Sequence, residues 1–390
     1  MWQTGERMPL HFDDDEYAVR VQKARATLAD AGLDGILLFA PESHYWLCGY
    51  DTFGFALFQC MVLSADGDIH LLTRAPDLRQ ARHTSTLDDD HIHIWVDREG
   101  VAPAEDLKAL LTELGLLGKR LGIEKNTVGL TAANWDMVRR VLGDDFVDAS
   151  TLIRDLRRVK SAAEIACHRR AAELADASLD AGIAETRAGA FEGDILAAMQ
   201  GAVFRGGGDY AGNEFILGSG PGALLCRYYS GRRHLDATDQ LTIEWAGAYA
   251  RYHAAMMRTL VVGEPVDVQK RMHAACVAAL EACEAAIRPG DPMGNVFDAH
   301  ARTFDAHGFA HARLNACGYG MGAVYNPIWV DFPMFYTGNP LPMLPGQVFF
   351  MHMILMDSES GYAMCWGHSV LVGDNGVERL SKAPQDMIVC

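Results

Sequence analysis

The chain has 390 residues, 49% of them hydrophobic and 22% charged, which is enough for two cored domains. A formal charge of −17 excludes the basic face that nucleic acid or an anionic membrane requires. No apolar run approaches the roughly 18 residues of a membrane span.

The first stretch, MWQTGERMPLHFDDDEY, holds no apolar signal-peptide core. Nine cysteines, none in a C-x-x-C pair, read as reduced thiols, so a cytoplasmic location is expected. Cys48, Cys60, Cys226, Cys317 and Cys365 stand in apolar or Gly-rich surroundings and are expected in the core.

Asp13 with Glu16 three residues on predicts a capped helix to about Ala31, ended by Gly32. Asp34 to Phe39 follows as a buried strand, and His44 to Tyr50 (HYWLCGY), FALFQCMVLS and DIHLLTR read as further strand-like pieces. Asp88 to Asp90 with His91 and His93 suggest either a metal or a solvated turn entering an edge strand. Pro103 to Leu116 is an amphipathic helix, Arg120 to Glu124 a strand and Thr131 to Leu142 a helix. This alternation makes residues 1–155 an α/β domain.

Residues 156–390 form the second expected domain. Ser161 and Glu164 make a capping box, and a helix follows from about Glu192 to Phe204. The Gly206-Gly207-Gly208 triplet lacks the Gly-Lys-Ser/Thr of a phosphate loop and reads as a connection. A strand lies near Phe215. Leu241 to Gly247 and Ala254 to Val262 form a hairpin around a turn at Ala248 to His253. Helices at Asp267 to Ile287 and Asn295 to His307 are stopped by Pro289-Gly290 and Gly308, and strands alternate with loops to the end. The domain is α+β.

Glu244 stands between Ile243 and Trp245, where an acid is costly to bury unless paired. Arg258 on the returning strand is either its ion-pair partner or a substrate contact. His253, His352 and His368 taken singly are more often core or surface residues than catalysts, and taken together they suit one zinc ion. Arg233 and His234 read as a solvated turn. Trp329, Asp331, Phe335 and Tyr336, among Pro327, Pro333 and Pro340, either wall a pocket or form an ordinary rigid loop.

The R-x-x-K-S-x-x-E-I run at Arg157, the hairpin and AGLDGILLF with YWLCGYD resemble the pita-bread family of methionine aminopeptidases, prolidases and creatinase. The resemblance implies a creatinase-type N-terminal domain and a pita-bread domain. It also implies five positions that hold two metals in the family's peptidases, and these fall on Glu244, Ala255, Tyr319, His352 and Gly367. With one acid among the five, no metal and no other cofactor are expected.

EWAGAYARYHAAMMRT and GYGMGAVYNPIW are similar to the ectoine hydrolases, members of the family's metal-free branch. Their acid–base histidine, seventeen residues before the hairpin acid, is replaced here by Arg227, and their late glutamate by His368. An arginine keeps its charge at neutral pH and cannot shuttle protons. The resemblance therefore implies a metal-independent hydrolase of a C–N bond in a small amidine, guanidine or cyclic amide. Glu244, His352 and His253 would be catalytic, while Arg227, Arg258, Tyr319 and His368 would bind substrate. An Xaa-Pro metallopeptidase and an inactive binding homologue are the alternatives. It further implies a homodimer in which Tyr45, Trp46, Phe53 or Phe55 helps close the partner's pocket.

Overall fold

The computed structural model describes residues 8–227 and 231–390. The chain divides after Arg157 into two compact units, and the α/β-then-α+β order expected from the sequence holds. The first unit runs α1 (Asp14–Asp30), β1 (Gly35–Leu38), α2 (Pro41–Cys48), β2 (Cys60–Ser64), β3 (Ile69–Arg74), α3 (Leu78–Thr84) and β4 (Ile92–Trp95). It continues with α4 (Pro103–Glu113), β5 (Leu121–Ile123), α5 (Ala132–Leu142), β6 (Val147–Asp148) and α6 (Leu152–Leu156). The strands form one sheet in the order β4-β3-β2-β1-β5-β6. Alternate strand positions face opposite sides. Ile36 and Leu38 pack with α1 and α2 residues such as Leu28 and Trp46. Leu37 and Phe39 pack with Leu107 and Leu110 of α4 and Val138 of α5.

Two pieces depart from expectation. FALFQCMVLS is a strand only from Cys60, after a 3₁₀ turn at Gly54–Ala56. His44 to Tyr50 is not a strand, because Pro41 opens α2 at its first turn and Gly49, at φ 82°, closes it. Proline tolerates the helix start and glycine the left-handed cap, so the pair outweighs the strand preference of the aromatics. Tyr45, Trp46 and Phe55 are buried, whereas Phe53 is 84% exposed. His91 pairs with Asp88 and His70 with His93, and no group of three metal-capable side chains occurs among the described residues.

The second unit begins with α7 (Ala162–Glu185), whose capping box is closed in both directions by Ser161 and Glu164. There follow α8 (Glu192–Arg205), β7 (Ile216–Ser219), β8 (Asp239–Tyr249), β9 (Tyr252–Val262), α9 (Asp267–Ala286) and α10 (Gly294–Ala306). The remainder is β10 (Gly318–Gly320), β11 (Asp331–Met334), β12 (Val348–Asp357), β13 (Tyr362–Gly373), β14 (Gly376–Arg379) and β15 (Ile388–Val389). The sheet runs β11-β10-β12-β13-β9-β8-β7, with β14 against β13 and β15 against β9.

Helices cover one face of this sheet. Trp245 donates its indole N–H to the Ala175 carbonyl of α7 at 3.0 Å, while Met351, Met353 and Trp366 pack with Cys276, Leu280 and Phe304 of α9 and α10. The opposite face carries the residues described next. No helix among the described residues is long and apolar enough to cross a membrane.

The hairpin turn is tighter than the sequence suggested. Both strands extend until only Ala250 and Arg251 remain, at φ 49° and 65°. Positive φ at both central residues is the type I′ geometry that matches strand twist. The Asp209 carboxylate, accepting the Arg251 amide at 3.0 Å, and the Tyr325 ring 5.2 Å beneath the guanidinium hold it without glycine.

Candidate active site

Cross-strand partners share a face of a sheet, so the register sorts the candidate residues. Glu244 on β8 pairs with Met257 on β9, Met257 with Gly367 on β13, and Gly367 with His352 on β12. Tyr319 on β10 pairs with Phe350, two residues from His352. Glu244, Tyr319 and His352 therefore look out from the helix-free face. The Tyr319 hydroxyl donates to Glu244 Oε1 at 3.3 Å and accepts from Trp329 Nε1 at 2.9 Å. The Tyr319 and His352 rings lie 5.5 Å apart. Arg227 approaches from the loop after β7 and bears electrostatically on Glu244, Tyr319 and His352.

Burial decides the protonation of this group. It pushes the Glu244 carboxyl up to about 7, against the Arg227 charge and the Tyr319 hydrogen bond, which hold it down. It lowers the His352 imidazole to about 4, with a smaller push from Arg227, and raises the Tyr319 phenol. At neutral pH the face thus presents a half-ionised acid, a neutral imidazole, a phenol and a guanidinium. The His352 Nδ1 has no hydrogen-bond partner among the described residues, although it is buried. A carboxyl that ionises near neutrality can take a proton and return it.

Two other candidates are not brought to this group. Arg258 pairs with Ile243 and so lies on the helix-covered face. There it donates to the Met257 and Gly367 carbonyls at 2.8 and 2.6 Å and sits 4.4 Å over the Trp366 ring. It cannot be the ion-pair partner of Glu244. His368 pairs with Met351 and Met256 on that same face, and its Nε2 is held 2.7 Å from Glu284 Oε1 of α9. His253 pairs with Ala248 and so lies on the Glu244 face, where it is fully buried and its Nε2 accepts the Gly212 amide at 2.8 Å. Burial drops its imidazole to about 4, so it is neutral, with the proton on Nδ1.

Trp329, read from sequence as a pocket wall or an ordinary loop residue, is 1% exposed and holds the Tyr319 hydroxyl. Of the five cysteines expected in the core, Cys226 is exposed, beside Arg227.

The donor set does not fit a two-metal centre. Glu244, Ala255, Tyr319, His352 and Gly367 offer one carboxylate, where hard divalent ions need several. No group of three or more His, Cys, Asp or Glu side chains suited to a metal exists among the described residues. At Gly367 even a Cβ would lie 2.2 Å from the Met351 carbonyl oxygen.

The family model for the creatinase/prolidase N-terminal domain matches residues 20–159, and that for metallopeptidase family M24 matches residues 166–374. The chain is 27% identical to the ectoine hydrolase of Halomonas elongata, over 98% of this chain and 99% of that one. It is 26% identical to an uncharacterised hydrolase/peptidase of Sinorhizobium fredii, over 97% and 99%. Among solved structures, the dipeptidase PepE of Mycobacterium ulcerans superposes with a TM-score of 0.84 at 24% identity, covering 97% of this chain and 99% of that one. With both family models matching in order, and over half of the chain covered by the second, the protein belongs to the M24 peptidase/creatinase superfamily of pita-bread hydrolases.

Proposed function

We propose that the protein hydrolyses a C–N bond in a small polar amidine, guanidine or cyclic amide, without a metal, in the manner of the ectoine hydrolases and creatinase. The observation that carries this reading is Glu244, a buried carboxyl raised to about 7 beside Tyr319, on the sheet face that also carries His352. In its ionised form it takes a proton from water as the oxygen bonds to the substrate carbon. The protonated carboxyl then returns that proton to the nitrogen as the C–N bond breaks, so the acid ends as it began. Tyr319, fixed by Trp329, stabilises the carboxylate form. His352, neutral at about 4, binds or relays through its ring nitrogens rather than titrating during turnover. Arg227 receives a substrate carboxylate, and an anionic substrate is favoured over a cationic one.

The test is a thermal-shift screen of osmolytes and guanidino compounds on chelator-treated protein, with product detection by NMR. Hydrolysis of a member of this class is expected. The second reading is an Xaa-Pro peptidase, supported by 22% identity to the Xaa-Pro dipeptidase of Pyrococcus furiosus over 63% of this chain. Cleavage of Xaa-Pro dipeptides only after metal is restored would establish that reading and overturn ours. Binding with no turnover of either class would establish an inactive binding homologue. We further propose a homodimer, with Phe53 the aromatic of the first unit available to a partner.

A further inference from the structure

Arg227 sits in a loop whose two ends converge on one side chain that lies outside the site. Glu192, the first residue of α8, is 2% exposed. Its Oε1 accepts the Ser219 amide at 2.8 Å and the Ser219 hydroxyl at 2.6 Å, where the loop begins. Its Oε2 accepts the Arg233 amide at 3.2 Å, where the loop returns. The backbone closes the same junction, since the Glu192 amide donates to the Arg233 carbonyl at 3.0 Å. Gly231 lies so close that a Cβ there would be 1.5 Å from Glu192 Oε2.

A second carboxylate ties the same ends. Asp239 accepts the Gly220 amide at 3.0 Å and pairs with the Arg233 guanidinium, which itself donates to the Ser219 hydroxyl at 2.8 Å. Arg233 is therefore part of this fastening and not a solvated turn.

This buried carboxylate is kept by three donors from two chain segments, and removing it would leave those donors unsatisfied. It needs no partner at its own position on α8, where a first-turn acid already suits the helix end. What these segments share is that they flank Arg227 in the chain, and Arg227 bears electrostatically on Glu244. We infer that Glu192 is a positioning residue, its carboxylate joining Ser219 to Arg233, on either side of Arg227 in the chain, so that Arg227 is presented to substrate beside Glu244. The inference rests on the reading of Arg227 as a substrate contact.

The test follows the Glu244 carboxyl by ¹³C NMR titration in four full-length proteins: the parent, E192Q, R227Q and the double variant. E192Q keeps the side-chain shape but turns an amide toward the Arg233 N–H. Loss of the nearby guanidinium raises the Glu244 midpoint, so R227Q moves it upward. E192Q is expected to produce at least half of that rise, and the double variant no more than R227Q alone. G231A, which collides with the clamp from the loop side, is expected to act like E192Q and serves if E192Q folds poorly. A purely structural Glu192 would lower the unfolding midpoint and leave the Glu244 titration in place, which overturns the clamp. If R227Q itself moves nothing, Arg227 is not beside Glu244, and the underlying reading falls with the inference.

Discussion

At the scale of single residues, the raised carboxyl at Glu244 makes opposite demands on activity and stability. Glu244→Gln removes the group that moves the proton, and turnover is expected to drop by about 10³-fold. The same change should stabilise the fold at alkaline pH. The native carboxyl holds its proton up to about 7, against 4.5 when exposed, so its contribution is complete below 4.5 and is lost as pH rises through 7. That shift corresponds to about 3 kcal/mol, an order of magnitude only. Thermal melts should show E244Q above the parent at pH 8, with the gap closing towards pH 4.5. Arg227→Ala is expected to weaken substrate binding by about 2–4 kcal/mol, since a bidentate contact is lost, and to appear in KM more than in kcat. The rate should rise with the ionisation of Glu244 near neutrality rather than with that of His352, which is neutral throughout.

At the scale of elements, the β8–β9 turn stores strain at Ala250, an L-residue at φ 49°. Replacing it with glycine relieves a left-handed conformation that costs roughly 1–2 kcal/mol and gives back part of that as unfolded-chain entropy. Ala250→Gly is expected to stabilise by up to about 1 kcal/mol in urea denaturation, with the slope unchanged. Helices bounded by Ser161, Thr131, Asp13 or Gly308 were legible because caps and periodicity lie in consecutive residues. Helix α2 was not, since its run of Tyr, Trp and Cys suits a strand equally and only its Pro and Gly ends decide. The faces of the hairpin were legible in principle. Any turn centred between Ala250 and Arg251 sets Glu244 against Met257, which sends Arg258 to the other side. The roles of Glu192 and Trp329 were hidden for a different reason. Their partners lie 27 and 10 residues away, joined by the sheet's layout rather than by any local spacing.

At the scale of the whole molecule, buried histidines govern acid stability. In the second unit His168 and His300 are lowered to about 3 and His253 and His352 to about 4, chiefly by burial. Near pH 5.5 the unfolded chain protonates these four while the native state does not, and Glu244 opposes with one proton of the other sign. A net three protons make stability fall by about 4 kcal/mol per pH unit below the unfolded value of 6.5. Denaturant midpoints at pH 7.5 and 5.5 will measure it. A chelator should leave the melting temperature unchanged, and two metals per subunit by elemental analysis would refute that. Sedimentation at micromolar concentration is expected to show a two-chain particle. The glycine at 367 has a further consequence, for reversibility. Its strand lies so near Met351 that a Gly367→Glu replacement must first push β12 and β13 apart. The replacement alone would add one ligand to a set still missing the acid at Ala255, while disturbing the His352 strand. A substitution at 367 alone therefore does not rebuild a two-metal donor set, and backbone spacing opposes it as much as chemistry does.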